Sequence, residues 1–231
     1  MRPYIICHMT TSIDGKVTGD FLDRAECEKA TEEYFRLNRE ISAQAFACGR
    51  RTMKESFTGD WYPDLKPFEG EVVDREDFIA NADAERYAVA FDRRGKLGWQ
   101  SSEIEDEDPG YGGAHIIEVL CESVPNAFLA YLRSIGVSYI FAGKYEMDLE
   151  LALDKLCELF GISQLLLEGG SIINGVFERE NLVDELSLVQ APVIAGAEGK
   201  TIFEDGVISD FTLKRVETLG GGVLWLRYVK G

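Results

Sequence analysis

The sequence predicts an α/β fold: a three-layer, mostly parallel central sheet with helices on both faces and a C-terminal antiparallel hairpin. Three observations lead there. Short apolar runs alternate with stretches of helical period through most of the chain, the β-α-β rhythm of a parallel sheet. The tail then drops its helices and keeps only strand-like runs. Four of the apolar runs end in polar or glycine-rich breaks, where open α/β sheets bind their ligands.

"YIICHM" (4–9) and "AQAFACG" (43–49) read as strands, and the Ala/Glu-rich "AECEKATEEYFRLNREI" (25–41) between them reads as a helix. "RYAVAFD" (86–92) and "AHIIEVL" (114–120) add two strands. A helix, "NAFLAYLRSIG" (126–136), leads to the strand "SYIFAG" (138–143), and a second, "LELALDKLCELFG" (149–161), leads to "SQLLLEGG" (163–170). Leu165, Leu166 and Leu167 are apolar on both faces of their run, as a strand covered on both sides requires. A helix near 172–180 follows, with Ser171 as its expected N-cap. "ELSLVQAPVI" (185–194), "DFTLKRVETL" (210–219) and "VLWLRYVKG" (223–231) close the chain, the last two joined at the glycines 220–222 as a hairpin. Two stretches, 58–78 and 100–113, lack a clear period and are expected as surface excursions beside the sheet.

A length of 231 residues suits a single domain over 1–231, and 45% hydrophobic content with 13 Phe, 9 Tyr and 3 Trp is ample for its core. The net charge of −17 argues against a nucleic-acid partner, because neutralising phosphates needs a basic face. No apolar run approaches the roughly eighteen residues of a membrane span, and no apolar leader opens the sequence. A cytoplasmic location is therefore expected. The five cysteines are scattered and form no C-x-x-C pair, so they read as small buried hydrophobes. With only His8 and His115 besides, no metal site is expected. There is no P-loop, no G-x-G-x-x-G after the first strand, no G-x-S-x-G elbow and no zinc-deaminase signature.

The four strand-end breaks are "TTSIDGK" (10–16), "GRRT" (49–52), "DRRGK" (92–96) and "EGGSIIN" (168–174). On parallel strands they are expected to converge. Gly169 and Gly170 remove Cβ where the chain must turn or where a ligand must approach the backbone. After Gly49 come Arg50 and Arg51, and after Asp92 come Arg93 and Arg94, four guanidinium groups in a strongly acidic chain. Guanidinium is a forked donor suited to phosphate oxygens. Two such pairs beside a glycine-rich turn point to a ligand with two separated phosphate loci, and NADPH has that shape. Thr52 is expected to cap a helix whose N–H groups face the pyrophosphate.

The spacing of "SIDGK", "GRRT", "FDRRGKL", "LLLEGGSIINGVF", "LVDEL" and "APVIAG" resembles the reductase domain of bacterial riboflavin biosynthesis, which has a dihydrofolate-reductase-like fold. The resemblance runs from about residue 2 to the C-terminal hairpin. It implies an NADPH-dependent reductase of a small heterocyclic substrate, pyrimidine- or pterin-like, working as a stand-alone domain and commonly as a homodimer. It places Thr10 and Thr11 at the nicotinamide, and Gly170, Ser171, Ile172, Ile173, Asn174, Gly175 and Val176 around the pyrophosphate and nicotinamide side. Thr52 would bind phosphate, Arg93 or Arg94 would lie near the 2′-phosphate, and Glu168 would contact substrate, with Ser12 beside it. One departure stands out: "KESFTGDWYPDL" (54–65) carries no arginine where the family anchors a phosphoribosyl group. This allows a substrate without phosphate, with Trp61 and Tyr62 stacking on a flat heterocycle.

Hydride transfer asks little of side chains beyond alignment, since the cofactor supplies the reactive bond. Glu168 and Asp14 are the carboxylates on hand to complete it. For Asp14 a turn-capping role weighs more, because Asp-Gly is a common turn pair. The competing reading is a catalytically silent nucleotide-binding or structural protein on the same scaffold.

Overall fold

Every apolar run becomes a strand: β1 (Tyr4–Thr11), β2 (Ala45–Gly49), β3 (Tyr87–Phe91), β4 (His115–Leu120), β5 (Ser138–Phe141), β6 (Gln164–Leu167), β7 (Glu185–Gln190), β8 (Phe211–Thr218) and β9 (Leu224–Lys230). The helices are α1 (Ala25–Ile41), α2 (Arg50–Met53), α3 (Asn126–Ser134), α4 (Leu149–Phe160) and α5 (Ser171–Arg179). The structure, a computed structural model, describes all residues from Met1 to Gly231. Its nine strands lie in the order β5-β4-β3-β2-β6-β1-β7-β9-β8, mostly parallel, with an antiparallel C-terminal end.

The chain divides into two compact units. The first holds Met1–Pro3 and Gln44–Gln164, the second Tyr4–Ala43 and Leu165–Gly231.

In the first unit β2, β3, β4 and β5 pair in parallel, in register Ala45 with Tyr87, Tyr87 with His115 and Ile117 with Ser138. β3 and β4 are buried at every position, which is why neither alternates in polarity. α4 starts where the Asp148 carboxylate accepts from Leu151 N at 2.9 Å and stops at Gly161, whose φ of +65° ends the helix. The 58–78 excursion is mostly irregular. It ends with Phe78 bonded to Tyr139 at 2.9 Å in both directions, which covers the β5 edge.

In the second unit β1 pairs in parallel with β7, and β7 in antiparallel with β9. α1 turns Cys27, Ala30 and Leu37 inward, the spacing of one helical face, against Val189, Val223 and Trp225. The hairpin β8–β9 forms as expected, with all three glycines of its turn at positive φ. Trp225 is core and nearly inaccessible. Its indole Nε1 donates to Ser187 Oγ at 2.9 Å, and that hydroxyl lies 3.0 Å from His8 Nδ1. His8 Nε2 donates to the Tyr34 carbonyl at 3.1 Å, and its ring stacks on Tyr34 at 4.4 Å. Burial outweighs two neighbouring carbonyls and lowers this imidazole to about 4, so it is neutral. No helix is long and apolar enough to cross a membrane.

Candidate active site

In the first unit the ends of β2 and β3 build a cationic cleft of about 650 Å³. Gly49 at the end of β2 is the N-cap of α2, with no side-chain cap. Thr52 lies inside that four-residue helix, so its hydroxyl does not cap it as expected. Arg51 turns to Glu55 at 2.9 Å, one helical turn on, and does not line the cleft. Arg50 does line it, makes no close ion pair, and acts through its charge on the buried Asp92 carboxylate.

After β3, Asp92 is buried and its carboxylate is committed to the turn. It accepts the backbone N–H groups of Lys96, Leu97 (2.8 Å) and, more weakly, Arg94 (3.4 Å). Burial pushes its carboxyl up despite these donors. Asp92 therefore shapes the loop that presents cations while itself lining the cleft. Arg93 is ion-paired with Glu146, whereas Arg94 is exposed and unpaired. Only one arginine of each pair is thus uncommitted.

Lys54 and Lys96 also line the cleft, and sequence reading left both out. Lys54 is tied to Asp60 at 2.6 Å, and Lys96 Nζ sits 6.0 Å from the Tyr62 ring centroid. Trp61 and Tyr62 lie here as well, partly exposed. Tyr62 donates to the Gly95 carbonyl at 2.9 Å and stacks on Phe128 at 6.0 Å. A Cβ on Gly98 would meet the Trp61 carbonyl oxygen at 2.1 Å, so the Trp61 backbone is packed against the loop. The Trp61 ring edge also packs on Gly98, and both rings stay partly exposed at the cleft.

In the second unit β6 ends at Leu167, and Glu168 follows as a buried carboxylate accepting from Asn38 Nδ2 at 2.7 Å. Gly169 has φ +103°, a backbone that glycine adopts at little cost and other residues do not; Gly170 has an ordinary φ of −74°. The peptide joining them is cis. Gly170 is the N-cap of α5, and Ser171 is the first helical residue rather than the expected cap. Ser171 Oγ and Asn174 Oδ1 are buried and have no hydrogen-bond partner. Asn174 Nδ2 donates to the Ile202 carbonyl at 3.2 Å. A Cβ on Gly175 would lie 1.9 Å from the Glu204 carbonyl oxygen. The glycine is thus needed for packing against the 202–204 segment. Ile172 is exposed, and Ile173 and Val176 are half-buried.

At the end of β1, Thr10 is half-buried, while Thr11 is buried and its carbonyl accepts Ala191 N at 2.7 Å. Ser12 is fully buried, donates to Asp14 Oδ1 at 2.6 Å and accepts Lys16 N at 2.9 Å, so its hydroxyl is committed to the turn and not to a substrate. Asp14 also receives Ala195 N at 2.9 Å and Gly196 N at 3.0 Å. The Ser12 hydroxyl first, then those amides, lower its carboxyl to about 2. An acid that strong holds no proton to give near neutrality. Asp14 ties the 12–16 turn to the loop after β7.

The sequence matches the RibD C-terminal domain family over residues 3–225. The chain belongs to that family. Membership makes it an oxidoreductase, a reductase in a family that works with a nicotinamide cofactor. A Methanothermobacter thermautotrophicus relative, named 2,5-diamino-6-ribosylamino-4(3H)-pyrimidinone 5′-phosphate reductase, is 29% identical over 239 residues and all of both chains. An Archaeoglobus fulgidus protein of the same name is 21% identical over 226 residues, 96% of each. Among solved structures, a pyrimidine reductase-like protein from Corynebacterium diphtheriae superposes with a TM-score of 0.69 at 17% identity, covering 99% of this chain and 92% of that one. Acinetobacter baumannii RibD gives 0.68 at 18%, covering 100% of this chain and 58% of its own. Both share the fold of this family member.

Proposed function

We propose that residues 1–231 act as one reductase that uses NADPH to reduce the ribosylamino group of 2,5-diamino-6-ribosylamino-4(3H)-pyrimidinone 5′-phosphate. The substrate comes from the name shared by relatives that match nearly the whole chain. Their phosphorylated substrate weighs against the phosphate-free one that residues 54–65 allowed. The choice of NADPH over NADH rests on one observation. Arg50 and Arg94 line a cleft of about 650 Å³ without close ion pairs, in a chain of net charge −17. Unpaired guanidinium groups beside the partly exposed Trp61 ring suit a phosphorylated adenosine. The unpartnered Ser171 Oγ and Asn174 Oδ1 support a polar ligand group at the 170–176 turn.

When bound, the nicotinamide supplies a hydride from its C4. The ring-opened ribosylamino group carries a C=N bond; hydride adds to C1′ and a proton to nitrogen. Glu168, held by Asn38, orients the substrate. Asp14 stays ionised and holds the turn that follows Thr10 and Thr11, so solvent supplies the proton.

We also propose a homodimer. Leu186 and Leu188 of β7, Leu226 and Tyr228 of β9, and Leu213 and Val216 of β8 fall in register on one face of the antiparallel sheet. Leu213 and Val216 are 51% and 56% exposed, an apolar area that a second copy would cover. Five free cysteines favour the cytoplasm, and the acidic charge disfavours nucleic acid.

Fluorescence titration tests the cofactor. NADPH should bind at least about tenfold more tightly than NADH, a difference of about 1.4 kcal/mol. Arg50→Ala combined with Arg94→Ala should narrow that gap. Equal dissociation constants in the unaltered protein would overturn the assignment.

A further inference from the structure

Two cations of the cleft are already held by carboxylates of this chain. Arg93 Nη1 pairs with Glu146 Oε2, and Lys54 Nζ with Asp60 Oδ1 at 2.6 Å. The Glu146 side chain is 83% exposed, so burial does not hold it on Arg93.

Its backbone does. Gly143 has φ +96°, and a Cβ there would lie 2.1 Å from the Glu146 carbonyl oxygen, so the turn closes tightly on Glu146. Asp148 N donates to the Ala142 carbonyl at 3.1 Å, shutting the other side before α4 begins. Arg93 is fixed to the same strand end. Cys121 N donates to the Arg93 carbonyl at 3.2 Å, and the next residue, Glu122, donates to the Gly143 carbonyl at 3.0 Å. Two consecutive amides after β4 thus set the arginine loop and the glutamate turn side by side.

We propose that Glu146 is a displaceable counter-ion that occupies Arg93 until a dianionic phosphate monoester replaces it, tempering the affinity for that ligand. This rests on the reading that the cleft receives the 2′-phosphate of the cofactor. A carboxylate carries one negative charge, whereas a phosphate monoester carries nearly two at neutral pH. Both accept from guanidinium, and the phosphate wins on charge. A ligand with a 2′-hydroxyl cannot displace Glu146 and gains nothing from Arg93. A 2′-phosphate gains Arg93 but first breaks an exposed ion pair, whose strength limits the loss of affinity to about fivefold. Glu146 then recaptures Arg93 as the ligand leaves, which speeds release.

Calorimetric titration with adenosine 2′,5′-bisphosphate, and with adenosine 5′-monophosphate as control, tests this at fixed ionic strength. The proteins are the unaltered chain, Glu146→Gln, Arg94→Ala, and Glu107→Gln, an exposed carboxylate away from the cleft that controls for net charge. Relative to Glu107→Gln, Glu146→Gln should bind the bisphosphate about two- to fivefold more tightly, with slower dissociation and unchanged monophosphate affinity. Adding Arg93→Ala should remove the gain. If the unaltered protein prefers the bisphosphate and Arg94→Ala weakens it, but Glu146→Gln matches Glu107→Gln, the counter-ion role is overturned and the cofactor reading stands. Equal tightening of both ligands overturns it as well. If the unaltered protein shows no preference and Arg94→Ala changes nothing, the cofactor reading fails and the counter-ion role falls with it.

Discussion

Lowering the pH from 7 to 4 should destabilise the second unit through His8. The imidazole is fully buried between Tyr34, Ser187 and Trp225, and is lowered from its ordinary 6.5 to about 4. The unfolded chain therefore takes up a proton between those values that the folded chain refuses. Stability from neutral His8 is complete above pH 6.5 and drains as the pH falls toward the folded value. A span from 6.5 to about 4 corresponds to about 3 kcal/mol, a large fraction of what holds an average domain together. Urea unfolding from pH 8 to 4 reads this directly. The unaltered protein should lose about 3 kcal/mol more over that range than His8→Gln, which has no group to protonate. Parallel curves would refute the reasoning. Because the substitution also disturbs the stack on Tyr34, NMR titration of the unaltered protein is the second measurement. Only two histidines are present, so their signals are separable. A His8 midpoint near 6.5 would contradict the burial argument.

Gly175→Ala places a Cβ where the Glu204 carbonyl oxygen stands at 1.9 Å, and since both sides are backbone, relief requires moving α5 or the 202–204 segment. We expect a loss of about 1–3 kcal/mol and a Tm several degrees lower by calorimetry; an unchanged Tm would place the need for glycine elsewhere. Light scattering at micromolar concentration should give about twice the 25.8 kDa chain mass, and Leu213→Glu with Val216→Glu should return it to the monomer. A monomer mass for the unaltered protein would reject the dimer.

Local chemistry was legible in the sequence and distant partnership was not. The helix at 25–41 matches α1 residue for residue, because the spacing of Cys27, Ala30 and Leu37 fixes one buried face without reference to the rest of the chain. The C-terminal hairpin was equally plain, since three glycines between apolar runs leave few alternatives. The pairing of Arg51 with Glu55, one turn away, was there to be read. The partners of Asp14 lie 181 and 182 residues along the chain, and Glu146 lies 53 residues from Arg93. No local pattern marks such contacts. Ser171 and Thr52 looked like caps because serine and threonine before helical runs usually are. Here a glycine takes the cap position of each helix, Gly170 directly before Ser171 and Gly49 three residues before Thr52, so the helix has already begun when they are reached. The need for glycine at Gly175 comes from the Glu204 carbonyl, 29 residues along the chain, which no local pattern marks.

The most direct test of the account is turnover. Purified protein, NADPH and 2,5-diamino-6-ribosylamino-4(3H)-pyrimidinone 5′-phosphate are incubated together, and the product is weighed by mass spectrometry. The account predicts loss of NADPH absorbance matched one for one by a product heavier by two hydrogens, with one deuterium incorporated at C1′ when the nicotinamide C4 is labelled. NADPH that binds tightly while neither the substrate mass nor the absorbance changes would contradict it, and would leave the chain a nucleotide-binding protein on a reductase scaffold.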